Sequence, residues 1–299
     1  MIDLYFMSPP SAGWALRGRA NFRSRDAEQV DARAARREWL ALADAIEARG
    51  GTVVALYPPS DELTGMPYAA ECGHVALIDR RPVFVLPNMA APHRRAERAW
   101  WDALARDIGL ATETIDAGTW EAQGDVAIFD GATLLFFGGR TDRAGMEAAA
   151  RFFEGEVIDV EIREPAFHGN MALLPLPAVD RLLACRAVIA PASYAALVAR
   201  FGEARIVEVS EEEIRSYATN GLPIGRDLIA PSLLPDRVAA IVTELGMRVV
   251  RSPMRELCEK AGGASRCLVS HARVPEALVR LREEHRLERV RERIAKEDR

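Results

Sequence analysis

The sequence predicts an α/β fold: one compact domain over residues 1–274, followed by a charged amphipathic helix over 275–299. Three observations carry this. Short segments rich in Val, Ile, Leu and Phe, bounded by turn residues, alternate with stretches of helical periodicity. They group as strand–strand–helix–strand, and the grouping returns every ~50–60 residues, although no sequence repeat is visible at that period. No Ser/Gly-rich linker divides the chain.

The elements follow in order. Ile2–Met7 is the first strand. A helix over Ala27–Glu47 carries Val30, Ala34, Leu40, Leu42, Ala45 and Ile46 and stops at Gly50-Gly51. Thr52–Leu56, His74–Ile78 and Val83–Leu86 are strands, the last two joined tightly through Asp79-Arg80-Arg81-Pro82. A helix over Arg94–Ile108 follows. Val126–Phe129 and Thr133–Phe137 form a hairpin on Asp130-Gly131, ahead of a helix over Ala144–Phe153. Val157–Ile162, Met171–Leu176 and Ala187–Ile189 are strands, then come a helix over Tyr194–Phe201 and a strand at Ile206–Val209. Asp236, after a proline, is expected to cap a helix over Asp236–Leu245. The strand Arg248–Val250 and a helix over Met254–Ala261 complete the domain. In the tail, Leu278, Leu281, Leu287, Val290 and Ile294 make a narrow apolar stripe. That stripe suits packing on its own domain or self-association into a homo-oligomer.

Composition bounds the function. With 49% hydrophobic and 28% charged residues, the chain is globular rather than disordered or membrane-spanning. A net charge of −5 argues against nucleic acid or an anionic membrane as partner. No apolar run reaches the ~20 residues of a spanning helix, and Met1-Ile2-Asp3-Leu4-Tyr5-Phe6 lacks the basic start of a signal peptide. A cytoplasmic location is the expectation. None of Cys72, Cys185, Cys258 and Cys267 forms a CxxC pair, so no metal is expected, and no cofactor motif such as GxGxxG or a P-loop occurs. HExxH and GxSxG are likewise missing.

Chemistry points first to Cys267, which follows Ala261-Gly262-Gly263-Ala264-Ser265-Arg266. Glycines permit close backbone approach, so the thiol can stand at a pocket floor; a small buried hydrophobe is the other reading. Cys185 and Cys258 read as buried hydrophobes. A thiol nucleophile needs a proton carrier, usually histidine. His168, in Ala166-Phe167-His168-Gly169-Asn170-Met171, precedes a strand, as does His74; His93 opens a helix, His271 lies four residues past Cys267, and His285 is expected to face solvent in the tail. Glu71, Glu121 and Asp125 are loop carboxylates ahead of strands, suited to a cationic substrate.

Taken in order, these segments resemble the guanidine-modifying (pentein) superfamily, which contains arginine deiminase, arginine dihydrolase, dimethylarginine dimethylaminohydrolase and the amidinotransferases. The resemblance runs from Phe6 to about Val274 and is nearest to the arginine dihydrolase type. Phe6-Met7-Ser8-Pro9-Pro10 with Arg17-Gly18-Arg19-Ala20-Asn21 is similar to its opening segment. Glu121-Ala122-Gln123-Gly124-Asp125 is similar to Glu-Gly-x-Gly-Asp, Gly138-Gly139-Arg140-Thr141 to Gly-x-Arg-Thr, His168 to the histidine of His-x-Asp, and Ala261–Leu268 to the nucleophile segment. The chain departs from the pattern at Tyr68-Ala69-Ala70-Glu71, where Phe-Thr-Arg-Asp or Phe-Thr-Ala-Asn is usual, and at Asn170, where aspartate is usual.

The resemblance implies an α/β propeller of five strand–strand–helix–strand units with pseudo-fivefold symmetry and a substrate pocket on the axis. It implies Cys267, His168 and Glu121 as catalytic residues, with Glu71, Asn21, Asn170, Arg140, Asp125 and Arg94 binding substrate. The implied activity is hydrolysis of the guanidinium of arginine or a modified arginine through a covalent S-alkylthiouronium. Amidino transfer to an amine, or non-catalytic binding, are the alternatives.

Overall fold

The computed structural model describes residues 1–17, 21–79 and 81–299. Its strands, in chain order, are β1 (Ile2–Met7), β2 (Thr52–Ala55), β3 (His74–Ile78), β4 (Arg81–Leu86), β5 (Ala111–Thr114), β6 (Val126–Phe129), β7 (Ala132–Phe137) and β8 (Glu156–Glu161). They continue as β9 (Leu173–Leu176), β10 (Arg181–Ala184), β11 (Ile206–Glu208), β12 (Leu222–Ile224), β13 (Asp227–Pro231), β14 (Arg248–Ser252) and β15 (Ser270–Val274). Among the described residues they form five three-stranded sheets: β15-β1-β2, β3-β4-β5, β6-β7-β8, β9-β10-β11 and β12-β13-β14.

Every sheet repeats one pattern. Its central strand pairs antiparallel with one neighbour and parallel with the other, as β7 does with β6 and β8. An antiparallel pair needs only a short turn, whereas a parallel pair needs a crossover, here a helix. The helices Ala32–Glu47, Glu97–Asp107, Arg143–Ala150, Pro191–Phe201 and Asp236–Glu244 supply these crossovers. Central strands are buried on both faces, which is why Ala132–Phe137 reads as a continuous apolar run rather than an alternating one. This is the expected five-unit propeller. β15 completes the first unit by pairing antiparallel with β1, Ile2 opposite Val274.

Several boundaries differ from the sequence reading. Helix Ala32–Glu47 starts late because Asp31 caps it, accepting from the Ala34 N–H. Asp236 is the first helical residue after Pro235 and caps nothing by its side chain. Ala187–Ile189 is not a strand: Arg186–Val188 is a 3₁₀ turn, and the strand of that unit is β10, which begins six residues earlier at Arg181. The predicted helix over Arg94–Ile108 is split into a turn at Pro92–Arg95 and the helix from Glu97. The Asp130-Gly131 hairpin forms with φ of 49° and 77°, the left-handed pair such two-residue turns require. Arg80, in the other predicted tight connection, lies outside the described residues.

The tail helix begins only at Leu287 and runs to Glu297. Leu287, Val290 and Ile294 fall on one face and join the cluster of Trp39, Leu42 and Ile46 from the first helix. Arg36, almost fully buried, pairs with Glu297 at 3.0 Å and Asp298 at 2.9 Å. His285 is not solvent-facing; it lies against the Ala55 carbonyl and Asp107, each at 3.2 Å. No helix among the described residues is long and apolar enough to cross a membrane.

Candidate functional site

The first strands of the five units, β3, β6, β9, β12 and β15, all contribute lining to an axial cavity of about 940 Å³. The segments entering these strands hold the chemistry. Glu71, Asn170 and Cys267 each stand three residues ahead of a strand that begins at His74, Leu173 and Ser270 respectively. Glu121 and Asp125 precede β6, His168 precedes β9, and Asn220 precedes β12. The pseudosymmetry therefore delivers one or two functional side chains from every unit to the same end of the axis.

Cys267 is positioned by a wide π-helical turn at Arg255–Lys260 and the glycines after it. Gly262 has φ of +94°, and a Cβ there would strike the Asn21 carboxamide; one on Gly263 would strike the Tyr68 ring. The chain then turns so that the Cys267 N–H meets the Asn220 Oδ1 at 3.2 Å. Its carbonyl accepts from Ala70, next to Glu71, at 3.0 Å. Around Sγ lies the Asn170 carboxamide, with Nδ2 at 3.6 Å. Burial pushes the thiol pKa up, while hydrogen bonds from Asn220 and Asn170 and the charge of Arg266 pull the other way.

His168 is fully buried between two carboxylates. Its Nε2 lies 2.8 Å from Glu121 Oε2 and its Nδ1 3.4 Å from Glu71 Oε1. Nδ1 has no hydrogen-bond partner among the described residues. Glu121 also accepts from the Ala90 N–H at 3.1 Å, and Arg140 approaches it to 3.8 Å. Burial works against its charge, but the hydrogen bond and charge of His168, with Arg140 and Arg94 beyond, hold the carboxyl down at about 2. Asp125 moves the opposite way: burial pushes it up to about 6, despite His168, the Thr141 hydroxyl at 2.6 Å and the Gly169 N–H at 2.7 Å. Two carboxyls on one turn thus differ widely in proton affinity. Ligand atoms of Glu71, Glu121 and His168 lie within 4.8 Å of one another, a spacing that would also suit a cation.

A second cavity, about 490 Å³, opens beside the thiol and is lined by Cys267, Glu71, Arg94, Arg140, Tyr68 and Phe167 among others. It is sized for a small molecule. An acidic floor with a buried thiol and a histidine behind it can bind a planar cation and attack it.

Residues 20–274 match the family model for eukaryotic N,N dimethylarginine dimethylhydrolase. The chain belongs to this family. With it the chain falls in the pentein superfamily of guanidine-modifying enzymes, whose members include hydrolases of amidine C–N bonds. No curated protein matches the sequence. Solved structures share the fold. The product-bound N-terminal domain of ArgZ, an arginine dihydrolase from cyanobacteria, has a TM-score of 0.82 at 21% identity, covering 92% of this chain and 99% of that one. A cysteine-to-alanine variant of AgrE with L-arginine has a TM-score of 0.81 at 20% identity, covering 95% of this chain and 41% of that one. A dimethylarginine dimethylaminohydrolase variant carrying an S-methyl-L-thiocitrulline adduct has a TM-score of 0.67 at 19% identity, covering 91% and 100%.

Within this family member, the expected residues divide by depth. Cys267, Glu71, Arg94 and Arg140 line the smaller cavity, and His168 and Glu121 lie one layer behind Glu71. Asn170 contacts the thiol from the side of the axial cavity. Asn21 also lines the smaller cavity, but its carboxamide is committed, donating to the Ala261 carbonyl at 2.9 Å and accepting from the Arg23 and Ser24 N–H groups. Gly18, Arg19 and Ala20 of the same motif lie outside the described residues. Asp125 does not line that cavity; Thr141 and Gly169 hold it as a brace under His168. Asn220, Arg266 and Thr141 were not anticipated. Asn220 sits before a strand too short and proline-interrupted to read from sequence, Leu222–Ile224.

Proposed function

We propose that this protein is a cysteine-dependent hydrolase of the guanidinium group of arginine or a modified arginine, working through a covalent S-alkylthiouronium. The buried Glu71–His168–Glu121 cluster behind a cavity lined by Cys267 carries this reading. A guanidinium is a resonance-stabilised cation and a poor electrophile; carboxylates hold it through paired hydrogen bonds and localise its charge. Burial favours the neutral thiol, and an arriving cation supplies the charge that favours the thiolate.

The thiol proton passes to His168, Sγ bonds to the guanidinium carbon, and the C–N bond breaks as His168 returns that proton to the leaving nitrogen. Water then adds to the thiouronium carbon, His168 takes its proton, and the C–S bond breaks to restore the thiol. The unpartnered His168 Nδ1 supports this role, because Glu121 already fixes Nε2. The similar proteins suggest two leaving groups: ammonia from arginine, as for an arginine dihydrolase, or an alkylamine from a methylated arginine.

Mass detection of products from a panel of guanidino compounds, with and without added amines, tests the reading and separates hydrolysis from amidino transfer. Cys267→Ser and His168→Gln are each expected to bring turnover below detection, and intact mass of His168→Gln with substrate tests for a covalent adduct. Normal turnover in Cys267→Ser overturns the mechanism.

A further inference from the structure

Arg94 is one of three arginines lining the smaller cavity, with Arg17, which is exposed, and Arg140. It is 6% exposed. Its Nε–H points at both Glu97 oxygens, at 3.1 and 3.2 Å. Nη2 donates to Glu97 Oε2 and to the Gly65 carbonyl, both at 2.8 Å. Nη1 is in contact with Glu71 Oε2. Three of the five guanidinium hydrogens are thus hydrogen-bonded to the protein, and Nη1 meets Glu71 as an ion pair. Gly65 is part of the device: a Cβ there would overlap Arg94 Nε and Glu97 Oε1. Two carboxylates on one guanidinium leave that group of three with a net negative charge, which repels a substrate carboxylate. Arg140 is otherwise. A quarter of its side chain is exposed at the cavity, it stacks on Phe167 at 4.7 Å, and its only carboxylate neighbour among the described residues, Glu121, is 3.8 Å away.

We propose that Arg94 is a positioning residue that clamps Glu71 beside His168, and that it takes no part in reading the anionic end of a substrate; that end is left to Arg140. This proposal departs from the sequence reading of Arg94 as a substrate-binding residue. The inference rests on the hydrolase reading for the identity of the ligand class, not for its test. Glu71 would otherwise stand unpaired in a buried site, free to rotate away from His168 or to take up a proton. The resident cation fixes Oε2 and leaves Oε1 toward His168, 3.4 Å away, and toward whatever guanidinium enters.

The test uses L-arginine and (4-aminobutyl)guanidine, which is L-arginine without its carboxylate, binding by calorimetry to full-length Cys267→Ser protein. Because Arg94→Gln alone strands two buried carboxylates, the working variant is Arg94→Gln with Glu97→Gln, which keeps the charge count. Both ligands are expected to weaken by the same factor, about tenfold or more, with their ratio unchanged within about twofold. Adding Glu71→Gln to that variant should cost little further, since the two changes act on one group. Arg140→Gln is expected to weaken only L-arginine. A tenfold loss confined to L-arginine in the Arg94/Glu97 variant overturns the proposal, as does failure of either ligand to bind the parent. Failure of wild-type protein to turn over any guanidino compound, with these binding ratios intact, would instead sink the hydrolase reading alone.

Discussion

Asn220 offers the sharpest test of how the thiol is held. It is fully buried, its Oδ1 accepts from the Cys267 N–H at 3.2 Å, and its Nδ2 donates to the Asn170 carbonyl at 3.3 Å. One side chain therefore ties the segments ahead of β9 and β15, which carry the two groups in contact at Sγ. Asn220→Ala removes both bonds and leaves a buried N–H and a buried carbonyl without these partners. The N–H keeps its bond to the Ala264 carbonyl at 2.9 Å, so the orphan is the Asn170 carbonyl, and the variant should lose about 1–3 kcal/mol, read as a lower urea midpoint with an unchanged slope. Freed from Asn220, the Cys267 backbone can drift, and misplacement by about 1 Å costs on the order of 100-fold in rate. Asn220→Asp separates charge from shape: it retains an acceptor for the N–H but sets a negative charge beside a thiol that must ionise. Its kcat/KM should therefore rise only at higher pH than wild type. Stability within about 0.5 kcal/mol of wild type together with normal turnover in Asn220→Ala would refute the assignment.

Other consequences follow from the site and the tail. Folding raises the Asp125 carboxyl to about 6 from an unfolded value of about 3.9, so its contribution is full below about pH 4 and is lost as pH climbs to about 6, at most about 3 kcal/mol. Glu121 runs the other way, its contribution present above about pH 4.3 and lost as pH falls toward 2. Thermal melts of Asp125→Asn should lack the wild-type decline between pH 4 and pH 6; parallel curves through that window would contradict the opposed settings. Ile294 is 3% exposed in the tail helix, and Ile294→Ala should cost about 2–4 kcal/mol in urea unfolding. A cost near zero would mean that the helix is not docked in solution.

What could be read from the sequence was what local physics decides. The Asp130-Gly131 hairpin, the apolar central strands and the small-residue approach to Cys267 all follow from turn geometry, burial on two faces and backbone access, and each is where it was expected. Ala187–Ile189 misled because Ala-Val-Ile looks like a strand by composition, whereas the pairing partners of that unit are already set by β9 and β11. The clamp on Glu71 was invisible for another reason. Arg94 meets it across 23 positions of chain, through a glycine at 65 whose role is only the space it leaves. His285 looked exposed in a charged tail, yet Asp107 and the Ala55 carbonyl receive it. Contacts made across units carry no period or spacing, so sequence can name the residues of the site but not their partners.

The closure of the propeller by β15 on β1 has a consequence for biosynthesis. During translation β1 is made long before its antiparallel neighbour, which is complete only once residue 274 is added, since Ile2 lies opposite Val274. Cys267, the proposed nucleophile, belongs to that late segment, three residues ahead of β15. Until then the other four units carry Glu71, Glu121 and His168 but not Cys267. Reactivity toward a guanidinium-directed alkylating probe would then switch on in one step with completion of the ring, making labelling of Cys267 a direct clock for the long-range pairing of Ile2 with Val274.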